Sequence, residues 1–180
     1  MPDELITDPT VLFAKNTKRT GEFSEAGFLH RAEGYGFKLA KPWGDSERYD
    51  FILDSGSHLW KVQVKGTEVL RARGYEVRAS YTEGKGRANY TAADIDVLAA
   101  HIIPLDLWYI VPVGVWGTHP MLRFYPNGAK HMRYEQYREY WDLFRQPPDL
   151  PQVICPRGID PIRCPVARRF PIHKELVTDN

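Results

Sequence analysis

Two alternating stretches on either side of Ser55-Gly56-Ser57-His58 constrain this chain more than any other feature of it. Residues 49–54 read Tyr-Asp-Phe-Ile-Leu-Asp, and residues 59–65 read Leu-Trp-Lys-Val-Gln-Val-Lys. Such runs flanking a Gly/Ser-rich break predict a β-hairpin. Side chains alternate across a strand, so Phe51 and Leu53 share a face with Trp60, Val62 and Val64. The opposite face carries Asp50, Gln63 and Lys65. A four-residue loop sets Asp50 opposite Gln63, and a two-residue loop (55–56) sets it opposite Lys61. Both registers pair even positions with odd ones, so the division of faces holds in either. One face is a core face; the other gathers an acid, an amide and a lysine near the strand ends.

Around this unit the pattern predicts an α/β fold. Residues 22–33 read as a helix, with Phe23, Ala26, Leu29 and Ala32 near helical spacing and Gly34 and Gly36 as its stop. A short strand over 37–40 and a loop over 42–46 lead into the hairpin. Residues 75–81 alternate as the next strand, and 83–89, with Gly84 and Gly86, read as a flexible basic loop. Thr91 followed by Asp94 resembles a capping box and predicts a helix to about Ala100. Strands are expected over 107–113 and 121–125. A helix is expected over 132–144, whose Tyr134, Tyr137, Tyr140, Trp141 and Phe144 recur at core-packing intervals. Pro147-Pro148 ends it, and prolines at 151, 156, 161, 165 and 171 imply an extended arm. The expected organisation is a core over 1–126 and an appended helix and proline-rich arm over 127–180.

Composition sets the class. Hydrophobic residues make up 43% and charged residues 26%, enough for one sizeable soluble core. The longest apolar stretch, 97–115, is interrupted by His101, Pro104, Asp106, Pro112 and Gly114, so no membrane span of roughly 20 residues is expected. The acidic start Met1-Pro2-Asp3-Glu4 does not read as a secretory signal. Cys155 and Cys164 do not make a disulfide framework, and their spacing, even with His131 or His173, fits no common zinc site. A cytoplasmic protein is the default expectation. Net charge is only +1, but residues 61–87 hold seven Lys/Arg against three Glu, and residues 155–174 hold five against one Asp. A polyanion needs a basic face rather than a basic total. Lys85 and Arg87, with Arg157, Arg163, Arg168 and Arg169, are the candidate phosphate contacts, a solvated surface being the other reading. Glu47-Arg48 reads as a solvated pair, Asp54 as a solvated residue of the turn, and His58 as a turn residue.

The polar hairpin face suits phosphodiester hydrolysis. That chemistry uses divalent cations to polarise the phosphate and activate water. Mg²⁺, or Mn²⁺ in its place, takes hard oxygen ligands and keeps several waters, so few protein ligands suffice. Asp50 would bridge metals, Gln63 would give its amide oxygen, and the Val64 carbonyl would be a further ligand. Lys65 would orient water and neutralise developing charge. A third acid should come from a nearby helix, with Glu25 the candidate and Glu22 its competitor.

These residues resemble the PD-(D/E)XK endonucleases of the restriction-endonuclease-like fold, in the branch that includes a cyanobacterial group I intron homing endonuclease and archaeal Holliday-junction resolvases. The resemblance rests on Gly21-x-x-x-Glu25, Gly34 to Gly36, Lys41-Pro42-x-Gly44-Asp45, Tyr49-Asp50 and Val62-Gln63-Val64-Lys65, and covers roughly residues 15–117. It implies an αβββαβ core around a mixed sheet and catalytic roles for Glu25, Asp50, Gln63 and Lys65. The family spacing from Gly21 favours Glu25 over Glu22. Gln63 departs from the usual Asp or Glu and removes one negative charge. The expected activity is Mg²⁺-dependent cleavage of DNA by a dimer or tetramer. The alternatives are a nuclease-fold module without catalysis, serving nucleic-acid binding or a structural role, and a nuclease acting on RNA.

Overall fold

The computed structural model describes residues 17–44, 46–129 and 132–146. Among these residues one α-helix, α1 (Thr17–Gly34), precedes ten strands: β1 (Lys38–Ala40), β2 (Phe51–Asp54), β3 (Leu59–Thr67), β4 (Leu70–Arg71), β5 (Gly74–Arg78), β6 (Ser80–Glu83), β7 (Gly86–Asn89), β8 (Val97–Ile102), β9 (Leu107–Pro112) and β10 (Met121–Phe124). The central sheet has the order β1-β2-β3-β8-β9. Its β3–β8 pair is parallel and the others antiparallel, so the sheet is mixed as expected. A second sheet, β10-β5-β4, and the β6–β7 hairpin lie in the crossover between β3 and β8 and after β9.

The β2–β3 hairpin takes the four-residue loop. Asp54 pairs with Leu59 and Phe51 with Val62. Its core face is buried as the alternation predicted: Phe51, Leu53, Trp60, Val62 and Val64 join Phe28 and Ala32 of α1 and Trp141, Leu143 and Phe144 from the C-terminal side. The other face of β8 and β9, with Leu98, Ala100, Ile102, Tyr109 and Val111, packs on Tyr75, Val77, Leu122 and Phe124 of the second sheet. The central sheet is thus covered on both sides.

Helix α1 starts earlier than expected and buries a different stripe. Ser24, Phe28 and Ala32 face inward at steps of four, while Phe23 and Leu29 are substantially exposed. The Ser24 hydroxyl is buried without penalty because it meets His101 Nδ1 at 3.1 Å. Gly36, at φ +83°, ends the helix with the paired bonds Phe37 N–H to Ala32 O (3.1 Å) and Gly36 N–H to Glu33 O (2.8 Å).

Four expectations are corrected. The helix expected from Thr91 to Ala100 is a single turn followed by strand β8. The Thr91–Asp94 box does form, with Thr91 N–H on Asp94 Oδ2 at 2.8 Å, but every residue from Val97 to Ile102 is buried. A segment buried on both faces between two strands favours extended backbone over an amphipathic helix. The basic stretch 83–89 is not a loop: Glu83 pairs with Gly86 across a tight turn. The strand expected over 75–81 divides at Ala79 into β5 and β6. The C-terminal helix expected over 132–144 is replaced by 3₁₀ turns at 135–137 and 141–145. Glu139, at φ +49°, separates them and clips the segment to the outer strand: its N–H donates to Trp108 O at 2.8 Å, and Trp108 N–H donates to its carboxylate at 2.8 Å. The segment therefore covers an otherwise open sheet edge. The core-packing role of its aromatics holds. The proline-rich arm, with Cys155, Cys164, His173, Arg157, Arg163, Arg168 and Arg169, lies outside the described residues, as do His131 and Asp45.

Candidate active site

Strand β3 is longer than its neighbour β2. Pairing with β2 ends at Val62, and β3 runs on to Thr67 with only β8 beside it. The next outward peptide group, that of Val64, has lost its ladder partner, and a polar group in that position must be satisfied by something else. Two side chains satisfy it. Val64 N–H donates to Asp50 Oδ2 at 2.8 Å, and Gln63 Nε2 donates to Val64 O at 3.1 Å. Gln63 Nε2 also donates to Asp50 Oδ2. The place where the sheet runs out is therefore the place where Asp50 and Gln63 meet.

Helix α1 lines the other wall. Gly66 has no Cβ, and one placed there would lie 2.1 Å from Ser24 Oγ, so the glycine permits a very close approach of α1 to β3. Glu25, the next residue of the helix, is thereby brought to the same cavity. That cavity, about 560 Å³ in volume, is lined by Glu25, Asp50, Gln63, Val64 and Lys65, and also by Arg78 of β5. All four side chains expected to form a site converge. Glu22 is exposed and does not line the cavity.

The electrostatics follow from this burial. Desolvation pushes the Asp50 carboxyl up to about 6, the Glu25 charge adding to it and the Val64 N–H, Lys65 and Lys41 opposing it. Desolvation likewise lowers the Lys65 ammonium below its ordinary value, against the attraction of Asp50 and Glu25. Lys41, from the loop after β1, holds Glu25 Oε2 at 2.6 Å. Gln63 is only 6% exposed, and its remaining atom, Oε1, accepts from Tyr90 Oη at 3.2 Å.

Tyr90 and Arg78 were not among the expected site residues. Arg78 shows as a polar position in an alternating strand, but nothing local places it at the cavity. Tyr90 follows β7 and carries no local signal at all; only the fold brings it to Gln63. Conversely, Lys85 and Arg87 are exposed on the β6–β7 hairpin and do not line the cavity. Arg48 is not paired with Glu47 but reaches Glu83 at 3.3 Å and lies 3.9 Å over the Tyr81 ring. Asp54 accepts from Gly56 N–H at 2.7 Å and so fixes the hairpin turn. His58 packs edge-on against Trp60.

Among the described residues no group of three or more His, Cys, Asp or Glu side chains is arranged to hold a metal ion. The donors of Glu25, Asp50, the Val64 carbonyl and the Gln63 amide are hard oxygens, as are those of Glu68 and Glu76, which also line the cavity, and this suits Mg²⁺ or Mn²⁺ rather than a soft metal. The Gln63 N–H₂ group lies on Asp50 Oδ2 and Val64 O together. Its partial positive charge thus sits on two oxygens that a cation would share, and the residues fit a divalent ion provided the amide turns its oxygen inward.

The profile of the PD-(D/E)XK endonuclease family matches residues 15–144. Among solved structures, the bacterial homing endonuclease I-Ssp6803I is similar, with 28% sequence identity and a TM-score of 0.64. The match covers 72% of this chain and 94% of that one. No curated protein matches the chain. No helix among the described residues is long and apolar enough to cross a membrane.

Proposed function

The chain belongs to the PD-(D/E)XK endonuclease family, and we propose that it is a metal-dependent endonuclease that hydrolyses phosphodiester bonds of DNA. The observation that carries this reading is the convergence of Glu25, Asp50, Gln63 and Lys65 on one cavity where β3 runs on beyond β2. The likeness to a homing endonuclease supports DNA as the substrate.

Asp50 and Glu25, with the Val64 carbonyl and the Gln63 amide oxygen, would hold Mg²⁺ or Mn²⁺. A bound cation of this kind polarises the phosphate and lowers the pKa of the attacking water. Asp50 supplies the nearest negative charge and is kept in place by the Val64 N–H. Lys65 presents a compact cation to the water and to the charge that develops on the phosphate. Arg78, which also lines the cavity, would bind a phosphate oxygen. Lys41 competes with a cation for Glu25 and would swing to a phosphate when the site fills. Lys85 and Arg87, exposed on the β6–β7 hairpin, extend phosphate contact beyond the cavity, and Arg168 and Arg169 are further candidate phosphate contacts. Cutting both strands calls for two such centres, so a homo-oligomer is part of the proposal.

Plasmid and branched DNA incubated with Mg²⁺, Mn²⁺ or EDTA test it. Cleavage that requires the cation and is abolished in Asp50→Asn supports the reading. A wild-type protein that cuts no form of DNA and binds no Mn²⁺, while Gln63→Glu gains both, would instead identify a nucleic-acid-binding or structural module that has lost its chemistry.

A further inference from the structure

Tyr90 touches two of the four residues at the cavity. Its hydroxyl meets Gln63 Oε1 at 3.2 Å, and its ring centroid lies 5.8 Å from Lys65 Nζ. We propose that Tyr90 is a positioning residue that holds the Gln63 amide in either of two orientations, nitrogen inward without a cation and oxygen inward with one. The inference rests on the reading of this cavity as a cation-dependent nuclease site.

The argument starts from the rigidity of a primary amide. Its oxygen and nitrogen ends differ in hydrogen-bonding sense and exchange places by a half turn. As it stands, Nε2 donates to Asp50 Oδ2 and Val64 O, and Oε1 accepts from Tyr90. An amide nitrogen has no lone pair for a cation, so in this orientation Gln63 closes the site. Turned over, Oε1 would face the Asp50 carboxylate, a repulsive contact unless a cation lies between them. Nε2 would then face Tyr90 Oη and need an acceptor. A buried amide end left without a partner is costly in either orientation.

Only a group that both donates and accepts serves both orientations, and a phenol hydroxyl is such a group. A phenol hydroxyl keeps its proton at neutral pH, so the Tyr90 hydroxyl can donate as well as accept. Its place is fixed as well. Tyr90 is 4% exposed, its ring packs on Tyr81 at 5.1 Å, and its N–H donates to Ala79 O at 3.4 Å. The hydroxyl therefore stays put while the amide turns. This explains how a glutamine occupies an acidic position: it reads the cation by its dipole, and Tyr90 absorbs the change in hydrogen-bonding sense.

The test compares wild type, Tyr90→Phe, Gln63→Glu and the double variant by calorimetric titration with Mn²⁺, thermal unfolding, and the side-chain ¹⁵N–¹H signals of Gln63. Phenylalanine keeps the ring, so folding is retained. In Tyr90→Phe, Mn²⁺ binding should weaken about 10- to 100-fold, as for loss of a residue that orients a ligand. In the Gln63→Glu background the same change should cost less than about threefold, because a carboxylate offers oxygen at both ends. In metal-free wild type the Gln63 amide protons should be distinct and protected from exchange, and in Tyr90→Phe averaged and unprotected. Unchanged Mn²⁺ affinity in Tyr90→Phe, an equal loss in both backgrounds, or identical amide signals would overturn the inference. A wild type that binds no Mn²⁺ overturns the nuclease-site reading and takes this inference with it.

Discussion

The carboxylate of Asp50 replaces a missing strand: its Oδ2 accepts the Val64 N–H at 2.8 Å, at the point where β2 no longer pairs with β3. One contact thus completes the sheet and orients the acid on which the site depends. The energetic consequence is double-edged. The N–H favours the ionised form, yet burial outweighs it and leaves the carboxyl at about 6. A centre of this kind gives up its proton readily when a cation arrives.

Loss of either charged group should abolish turnover. Asp50→Asn and Lys65→Ala are each expected to lower the DNA-cleavage rate by about 10²–10³ or more, several kcal/mol of transition-state stabilisation. Duplex binding in EDTA should change little. Gln63→Glu adds the charge missing from the cation site and should tighten Mn²⁺ binding. Single-turnover cleavage beside Mn²⁺ titration checks all three, and undiminished cleavage by Asp50→Asn would remove Asp50 from the chemistry.

Two buried groups should oppose each other in the pH dependence of stability of the metal-free protein. The folded Asp50 binds a proton up to about pH 6, whereas the unfolded one releases it near 3.8, so its contribution falls as pH rises through that window. His101, stacked on Trp108 at 4.2 Å and lowered to about 4 mainly by burial, acts in the opposite sense. Its unfolded form takes up a proton near 6.5, so its contribution is present above that pH and lost as pH falls towards 4. Each amounts to about 3 kcal/mol at most, and between pH 4 and 6 they nearly cancel. Asp50→Asn should therefore become more stable from pH 4 to 6.5, and His101→Phe less stable from pH 4 to 6. Urea titrations at four pH values read the slopes; parallel slopes in all three proteins would contradict the assignment.

Gly66→Ala should uncouple folding from catalysis. A methyl group there meets Ser24 Oγ at 2.1 Å and Ile103 Cδ1 at 3.1 Å, so α1 must move outward. Overpacking of this sort costs about 1–3 kcal/mol. Displacing Glu25 should lower cleavage by more than the stability loss explains. Activity measured well below the melting temperature distinguishes the two, and wild-type cleavage would show that Glu25 tolerates the shift.

Phosphate contacts should appear in the salt dependence of binding. Each genuine contact removed reduces the slope of log K against log salt by roughly 0.9 on duplex DNA. Arg78→Ala is expected to do so by about one contact. Neutralising Lys85, Arg87, Arg168 and Arg169 together tests the remaining candidate contacts, and an unchanged slope would make those four ordinary solvated residues.

What could be read in advance was whatever depends on short periods. The two-residue repeat of the hairpin assigned Asp50, Gln63 and Lys65 to one face, because strand parity survives an error in loop length. Glu25 was reachable through the family resemblance, by its spacing from Gly21. The misreadings share a cause in tertiary context. Thr91 and Asp94 make the same box whether a helix follows or not, and only burial between β3 and β9 decides for a strand. The tyrosines and tryptophan of 134–141 repeat like a helix, yet Glu139 bonds to Trp108 and breaks it. Ser24 looks polar until His101 and Gly66 are seen around it. Tyr90 has no neighbour in sequence that announces its role.

The parallel junction of β3 and β8 fixes Thr67 opposite Ile102 and Val62 opposite Val97. Everything between Thr67 and Val97, including the β4–β5 and β6–β7 hairpins, leaves the central sheet and returns to the adjacent strand. Insertions or deletions in the hairpin turns can therefore lengthen or shorten this excursion without shifting the strands that carry Gln63 and Lys65. Such an arrangement lets recognition diverge among descendants of one ancestor while the hydrolytic centre stays the same.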